Sequence, residues 1–267
     1  MTESAPPHSY LAHGGPIAFA HRGGIESGTE NTLAAFADAV GVGFTYLETD
    51  VHLTADGVVV AAHDERLDRV ADVNGTIAQM PWSEVAVARI GGSEPIPTFE
   101  ELLVEFPDVR FNVDPKSDAV LDPLLDLLER HEALPRVCIG AFSDARLARA
   151  RSRFGRMLCT AAGPRETARA MAAERISRRY ARTPKRAPYD CLQVPVAHKG
   201  VPVLTPGLIE YAKQIGVQVH VWTIDDPAEM NRLLDLGVDG VMTDRPRVLR
   251  AVLTERGQWP AVGSAPA

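Results

Sequence analysis

Cysteine is scarce: three residues in 267, Cys138, Cys159 and Cys191, each in an apolar stretch and none in a C-x-x-C pair. That spacing fits neither a zinc finger nor a dithiol redox motif, so the three are expected to be buried free thiols. An odd number of them also argues for a reducing compartment. No run approaches the roughly 18 consecutive apolar residues of a membrane-spanning helix. The polar stretch Met1 to Pro16 lacks the basic-then-apolar order of a signal peptide, and a cytoplasmic location is expected. Positive charge is in deficit, with 28 Lys and Arg against 35 Asp and Glu and a formal net charge of −7. Nucleic acid is therefore excluded as a bulk partner, because a polyanion needs a basic footprint. A small anionic substrate is not excluded, since one local positive site or a bound cation suffices. No Gly-x-Gly-x-x-Gly or Walker loop follows the first predicted strand, which argues against dinucleotides and nucleoside triphosphates.

What the chain does have is regular alternation of short β-rich runs with longer helical patterns. Pro16–Ala20 reads as a strand and Asn31–Val42 as a helix. Tyr46–Leu53 reads as a second strand, with Val58–Ala62 returning across an Asp56-Gly57 turn. Residues 64–97 are irregular and read as an elaborated loop. Thr98 then opens a helix through a capping box with Glu101. Six further strands are predicted, at Arg110–Val113, Val137–Ala141, Met157–Ala161, Leu192–Val194, Val217–Thr223 and Gly240–Thr243, each followed by a helical pattern. About eight strand–helix units in one α/β chain of this length predict a single closed (β/α)8 barrel over residues 16–256. Residues 1–15 and 257–267 are expected to be flexible.

Catalysis in such a barrel sits at the C-terminal ends of the strands, so the polar residues that end each strand are the candidates. Strand one ends in His21-Arg22-Gly23-Gly24, and strand two carries Glu48-Thr49-Asp50. The return run ends in His63-Asp64, strand three in Asp114-Pro115-Lys116, and strand eight in Asp244. Trp222 lies near the end of strand seven, as a pocket wall or a core residue. Glu48 and Asp50 are two apart, so both point to one face of their strand. Two carboxylates on one inward face repel each other unless a cation joins them. With Asp114 they form an all-oxygen set suited to Mg2+ or Ca2+. Otherwise they pair with Arg22 and Lys116 as a structural ion network. His21 and His63 beside such a cluster suit general acid–base work at neutral pH. Arg22 and Lys116 offer fixed positive charge to a phosphate, and the glycines a backbone that approaches one closely.

The ordered set His21-Arg22-Gly23, Glu30-Asn31-Thr32, Glu48-Thr49-Asp50-Val51, Thr54-Ala55-Asp56-Gly57 and His63-Asp64 resembles the glycerophosphodiester phosphodiesterases. So do Asn112-Val113-Asp114-Pro115-Lys116, Val221-Trp222-Thr223 and Thr243-Asp244-Arg245-Pro246. The resemblance runs from about residue 16 to 254. It implies a TIM barrel that hydrolyses glycerophosphodiesters, a small-molecule substrate, to sn-glycerol 3-phosphate and an alcohol. It also implies His21 and His63 as the acid–base pair, and Glu48, Asp50 and Asp114 as ligands of one divalent cation, Mg2+ or Ca2+. Arg22, Lys116 and Trp222 are then expected to contact the substrate. Two departures stand out: Thr29 where the family often has Pro, and Asp114 where many members have Glu. Two alternatives remain open. One is a phospholipase D-like activity on a lipid, and the other a non-catalytic barrel that binds glycerol phosphate.

Overall fold

The structure is a computed structural model that describes residues 8–26, 28–180 and 187–259. Eight parallel strands form the barrel: β1 Ile17–His21, β2 Tyr46–Leu53, β3 Arg110–Pro115, β4 Val137–Ile139, β5 Cys159–Thr160, β6 Cys191–Val194, β7 Gln218–Val221 and β8 Gly240–Thr243. Around the ring the order is β5-β4-β3-β2-β1-β8-β7-β6. A parallel bridge between Ala161 and Cys191 joins its two ends. The predicted (β/α)8 TIM barrel is therefore the observed fold. Eight main helices cover it: α1 Leu33–Val42, α2 Phe99–Glu105, α3 Asp118–Arg130, α4 Asp144–Phe154, α5 Pro164–Tyr180, α6 Pro206–Gln214, α7 Pro227–Leu236 and α8 Pro246–Glu255.

Local chemistry sets where the helices begin. The side chains of Thr32, Thr98, Ser117, Ser143, Thr205 and Asp226 each accept from the backbone N–H three residues on, satisfying a donor that the first helical turn leaves unpaired. At Thr98 the capping box with Glu101 is complete. Proline opens α6, α7 and α8, where its missing N–H costs nothing.

Alternation along the strands sorts side chains into two cores. Leu47, Phe111, Val113, Ile139, Leu192, Val219 and Val221 face outward and pack under the helices. Phe19, Tyr46, Cys138, Cys159, Cys191 and Met242 face inward and fill the barrel. The 64–97 excursion is more than a loop. Leu67, Ile77, Val85, Ile90 and Ile96 pack with Val60 into a satellite core, which anchors the excursion to the strand Val59–Ala61 that returns antiparallel from β2.

Both flanks differ from expectation where they are described. Tyr10 and Leu11, within the segment expected to be flexible, are fully buried and join the cluster inside the barrel. Tyr46 Oη donates to the Tyr10 carbonyl at 2.6 Å, and Gln218 Nε2 donates to the Leu11 carbonyl at 3.1 Å. Two apolar side chains at a short 3-10 turn thus close the N-terminal end of the barrel, which the strands alone leave open. At the other flank, Trp259 stacks obliquely on Phe44 with ring centroids 5.2 Å apart, so residues 257–259 are docked rather than loose. The remainder of both expected flexible segments, 1–7 and 260–267, lies outside the described residues. Truncating Tyr10 to alanine should leave a cavity at the barrel floor and lower unfolding free energy by about 3 kcal/mol. A urea melt followed by circular dichroism reads this directly, and a change below about 0.5 kcal/mol would mean that the segment is not a plug.

Candidate active site

Strand register brings the candidates together. His21 lies beside Glu48, Glu48 beside Asn112, and Asp50 beside Asp114 on β1, β2 and β3. All point into the C-terminal rim. Glu48, Asp50 and Asp114 retain only 5%, 2% and 9% of their exposure, so each carboxylate has lost most of its water. The two fixed cations offered as phosphate contacts both sit on these acids. Lys116 Nζ is 2.6 Å from Asp50 Oδ1 and 2.9 Å from Asp114 Oδ2. Arg22 Nε is 3.3 Å from Asp50 Oδ2, and Arg22 Nη1 donates to Glu30 Oε1 at 3.2 Å.

Compensation is incomplete. Glu48 accepts one N–H bond, from Arg22 at 3.2 Å, and has the His21 ring 3.7 Å away. Burial, and then the Asp50 charge, push its pKa up to about 7 against the opposing pull of His21, Arg22 and Lys116. Asp50 Oδ2 and Arg22 Nε, 3.3 Å apart, are held by charge alone, with no hydrogen bond among the described residues. Burial likewise raises the Asp114 carboxyl, with Lys116 pulling the other way. Desolvation lowers the Lys116 ammonium, yet Asp114 and Asp50 outweigh it and hold the group above its ordinary value. A carboxyl driven towards neutrality beside two further hard oxygen donors on one face is a set that a cation would satisfy, in the place where Lys116 now spans Asp50 and Asp114. The residues present therefore fit a divalent ion.

Each histidine is held by its own carboxylate. His21 Nδ1 is 2.6 Å from Asp244 Oδ1. Burial works against its imidazolium, but the Glu48 charge and the Asp244 hydrogen bond prevail and raise its pKa. His63 Nδ1 is 2.6 Å from Asp64 Oδ1. Asp64 is also bound by Arg69, which reaches back to Glu30 at 2.6 Å. In both rings Nδ1 is taken, leaving Nε2 as the working nitrogen. His63 stands off the barrel proper, on the return strand's exit. It lines a depression of about 560 Å3 together with Lys116, Asp64 and Arg69. A larger groove of about 700 Å3 lies elsewhere, on the flank between Val58–Val59 and α3, away from these residues.

The glycines have a reason in the fold itself. Gly23 and Gly24 have φ of +82° and +89°. A Cβ on Gly23 would meet the Ala35 backbone at 2.9 Å, and one on Gly24 would meet Pro246 at 2.6 Å. Trp222 lies across the mouth from the acids and packs edge-on against Phe142, with centroids 5.8 Å apart and Phe142 itself 71% exposed. Asp244, Asp64, Glu30 and Phe142 complete the rim, although the sequence reading gave none of them a role in the chemistry. The position of Asp244 at the end of β8 was the available signal. Phe142 carried none, being one aromatic after an alanine in a loop.

Comparison with known proteins agrees with this architecture. Residues 21–248 match the model of the glycerophosphoryl diester phosphodiesterase family. A protein of Mycobacterium tuberculosis named probable glycerophosphodiester phosphodiesterase 2 is 41% identical over 96% of this chain and 97% of its own length. A lysophospholipase D of Homo sapiens is 27% identical over 87% of this chain and 84% of its own. Among solved structures, an Oleispira antarctica phosphodiesterase in complex with the product sn-glycerol-3-phosphate superposes with a TM-score of 0.73 at 22% identity, covering 90% of this chain and 97% of that one. On the family match and the 41% relative, this chain belongs to the glycerophosphoryl diester phosphodiesterase family and is a phosphodiester hydrolase acting on glycerophosphodiesters.

Proposed function

We propose that the rim hydrolyses glycerophosphodiesters to sn-glycerol 3-phosphate and an alcohol by two-histidine acid–base catalysis, with Glu48, Asp50 and Asp114 holding one divalent cation, Mg2+ or Ca2+. The observation that carries this is the convergence of three buried carboxylates with His21, whose Nδ1 a further carboxylate occupies. When bound, the cation supplies charge neutralisation to the phosphoryl oxygens. Arg22 and Lys116, the fixed positive charges of the rim, orient the phosphate. His21 and His63 exchange protons through Nε2: one accepts the proton of the attacking hydroxyl, and the other delivers one to the departing alkoxide. Asp244 and Asp64 keep both rings in the required tautomer, and Asp244 favours the charged form of His21.

A second reading, hydrolysis of a lysophospholipid, draws on the exposed Phe142 packed against Trp222, an apolar wall at the mouth of a polar site. The human relative named lysophospholipase D supports it.

Turnover of glycerophosphocholine should disappear in EDTA and return with Mg2+ or Ca2+, and full activity in EDTA would remove the cation from the proposal. His21→Ala and His63→Ala should each lower kcat by about 10²–10⁴-fold. With a p-nitrophenyl diester, whose leaving group needs no proton, the variant of the acid recovers most of that loss and the variant of the base does not. Unaltered turnover in either variant rules that histidine out of the chemistry.

The titration of Glu48 gives a stability test in metal-free protein. Its folded pKa of about 7 exceeds the ordinary 4.5, so between those values the folded state holds the extra proton. The contribution of Glu48 is then favourable at the low end and lost as pH rises through about 7. Glu48→Gln should therefore gain stability relative to the parent as pH rises across that window, by at most about 1.4 kcal/mol per pH unit. Saturating Mg2+ or Ca2+ should cancel the gain. Thermal melts of the two proteins at matched pH measure this, and parallel curves would refute it.

For the lipid reading, Phe142→Ser should raise KM for lysophosphatidylcholine severalfold and leave glycerophosphocholine nearly unchanged. Equal effects on both substrates, or none, would count against an acyl chain on that wall.

A further inference from the structure

The three cysteines, far apart in sequence, meet inside the barrel. The register sets Cys138 on β4 beside Cys159 on β5, and the bridge that closes the ring brings in Cys191 on β6. Their sulfurs all lie within 4.8 Å of one another, and Cys138 Sγ is 4.0 Å from Cys191 Sγ. None forms a disulfide, and all three are buried. Three thiolates on one Zn2+ at about 2.3 Å stand about 3.8 Å apart, and a trigonal arrangement spreads them to about 4.0 Å.

Two further groups beside this triad lack partners. The groups that act on the Cys191 sulfur include the His220 ring as well as the other two thiols. His220 is fully buried, and its Nδ1 has no hydrogen-bond partner among the described residues. Its Nε2 lies 3.1 Å from Gln218 Oε1, and the amide nitrogen of that same Gln218 donates to the Leu11 carbonyl. Gln218 therefore presents only an acceptor to His220, so Nε2 carries the proton and Nδ1 keeps its lone pair. A histidine that binds a metal has this arrangement, its second N–H donated to an oxygen. Tyr10 Oη is the other, fully buried and without a hydrogen-bond partner among the described residues. It belongs to the same inward-facing cluster as Cys138, Cys159, Cys191 and Tyr46. Two buried polar atoms left unpaired lose their water without replacement unless something joins them.

We propose that Cys138, Cys159 and Cys191 form a second metal site for a thiophilic ion, Zn2+ or Cu+, with the three sulfurs as its ligands and His220 next to Cys191 as the nearby nitrogen. It is separate from the carboxylate rim in position and in ligand chemistry. Sulfur and imidazole select soft or borderline ions, whereas the rim offers only oxygen to hard ones. Binding releases the thiol protons to solvent. Because Tyr10 and Leu11 seal this end, the ion enters as the chain folds and leaves slowly.

Untagged full-length protein, expressed or refolded with Zn2+ or with Cu+ under reducing conditions, is gel-filtered in excess Mg2+ and its metal content measured. About one ion per chain is expected for one of the two metals, together with a rise in Tm over metal-free protein. Refolding with Co2+ should produce a near-ultraviolet thiolate-to-cobalt charge-transfer band. Cys159→Ser and Cys191→Ser should lose ion and band, and Glu48→Gln should keep both. If the cysteine variants fail to fold, the cobalt band of the parent protein decides alone. No retained Zn2+ or Cu+ and no such band, or an ion lost with Glu48→Gln, would overturn the proposal.

Discussion

Three carboxylates buried side by side on one inner wall of the barrel are the constraint that organises the rim. Register leaves no freedom here: Asp50 and Asp114 are paired residues on adjacent parallel strands, and Glu48 shares their face. Such a group cannot stay charged without company, because desolvation and mutual repulsion both favour protonation. The neighbours follow from that demand. Lys116 spans Asp50 and Asp114, while Arg22 donates its backbone N–H to Glu48 and sets its side chain against Asp50. To do so Arg22 adopts a left-handed φ of 54°, and the two glycines after it turn the chain where any Cβ would strike Ala35 or Pro246. The strain of one turn is thus tied to the charge of three strands.

That ionic chain also reaches His63, which no barrel strand carries. Glu30 accepts from Arg22 on one side and Arg69 on the other, and Arg69 binds the carboxylate that holds His63. The 64–97 excursion needs its own apolar core for this reason. Without Leu67, Ile77 and Ile90 packed on Val60, nothing would fix Arg69 and Asp64 relative to the rim. His21, set directly on β1 and bound to the end of β8, needs no such support. Two imidazoles with the same partner chemistry are therefore positioned by quite different means.

Most of this was legible in the sequence, for identifiable reasons. Period-two and helical patterns are local, so β2 and β8 come out residue for residue and the capping box at Thr98 as predicted. The same-face pair Glu48 and Asp50 follows from strand geometry alone. Asp114 needs only the next parallel strand in register. What was not legible depends on closure. That Cys138, Cys159 and Cys191 converge is a property of the ring, since β4 to β6 are short and their inward positions meet only once the sheet curls shut. The docking of Tyr10 and Leu11 has the same origin. A polar N-terminal stretch with two apolar residues reads as a tail until a barrel floor exists for it to cover.

Closure also explains two glycines that carry no turn. Gly140 follows β4 and faces inward, where a Cβ would lie 3.0 Å from Gln193 Oε1. The space it leaves lets Gln193 donate to Asn112 at 2.7 Å across the interior. Gly240 opens β8, where a Cβ would meet His220 at 2.9 Å and Phe19 at 3.1 Å. In both places the strand gives up a side chain so that a polar group from another strand can occupy the barrel axis. An interior filled only for stability would place Val or Ile at these positions, because branched side chains pack the layers of such barrels best. Giving up that apolar contact to seat an amide bridge and an imidazole with a free nitrogen costs stability. The Asn112–Gln193 bridge recovers its share through its hydrogen bond. The His220 nitrogen, near Cys191, recovers its share only if a further atom joins it.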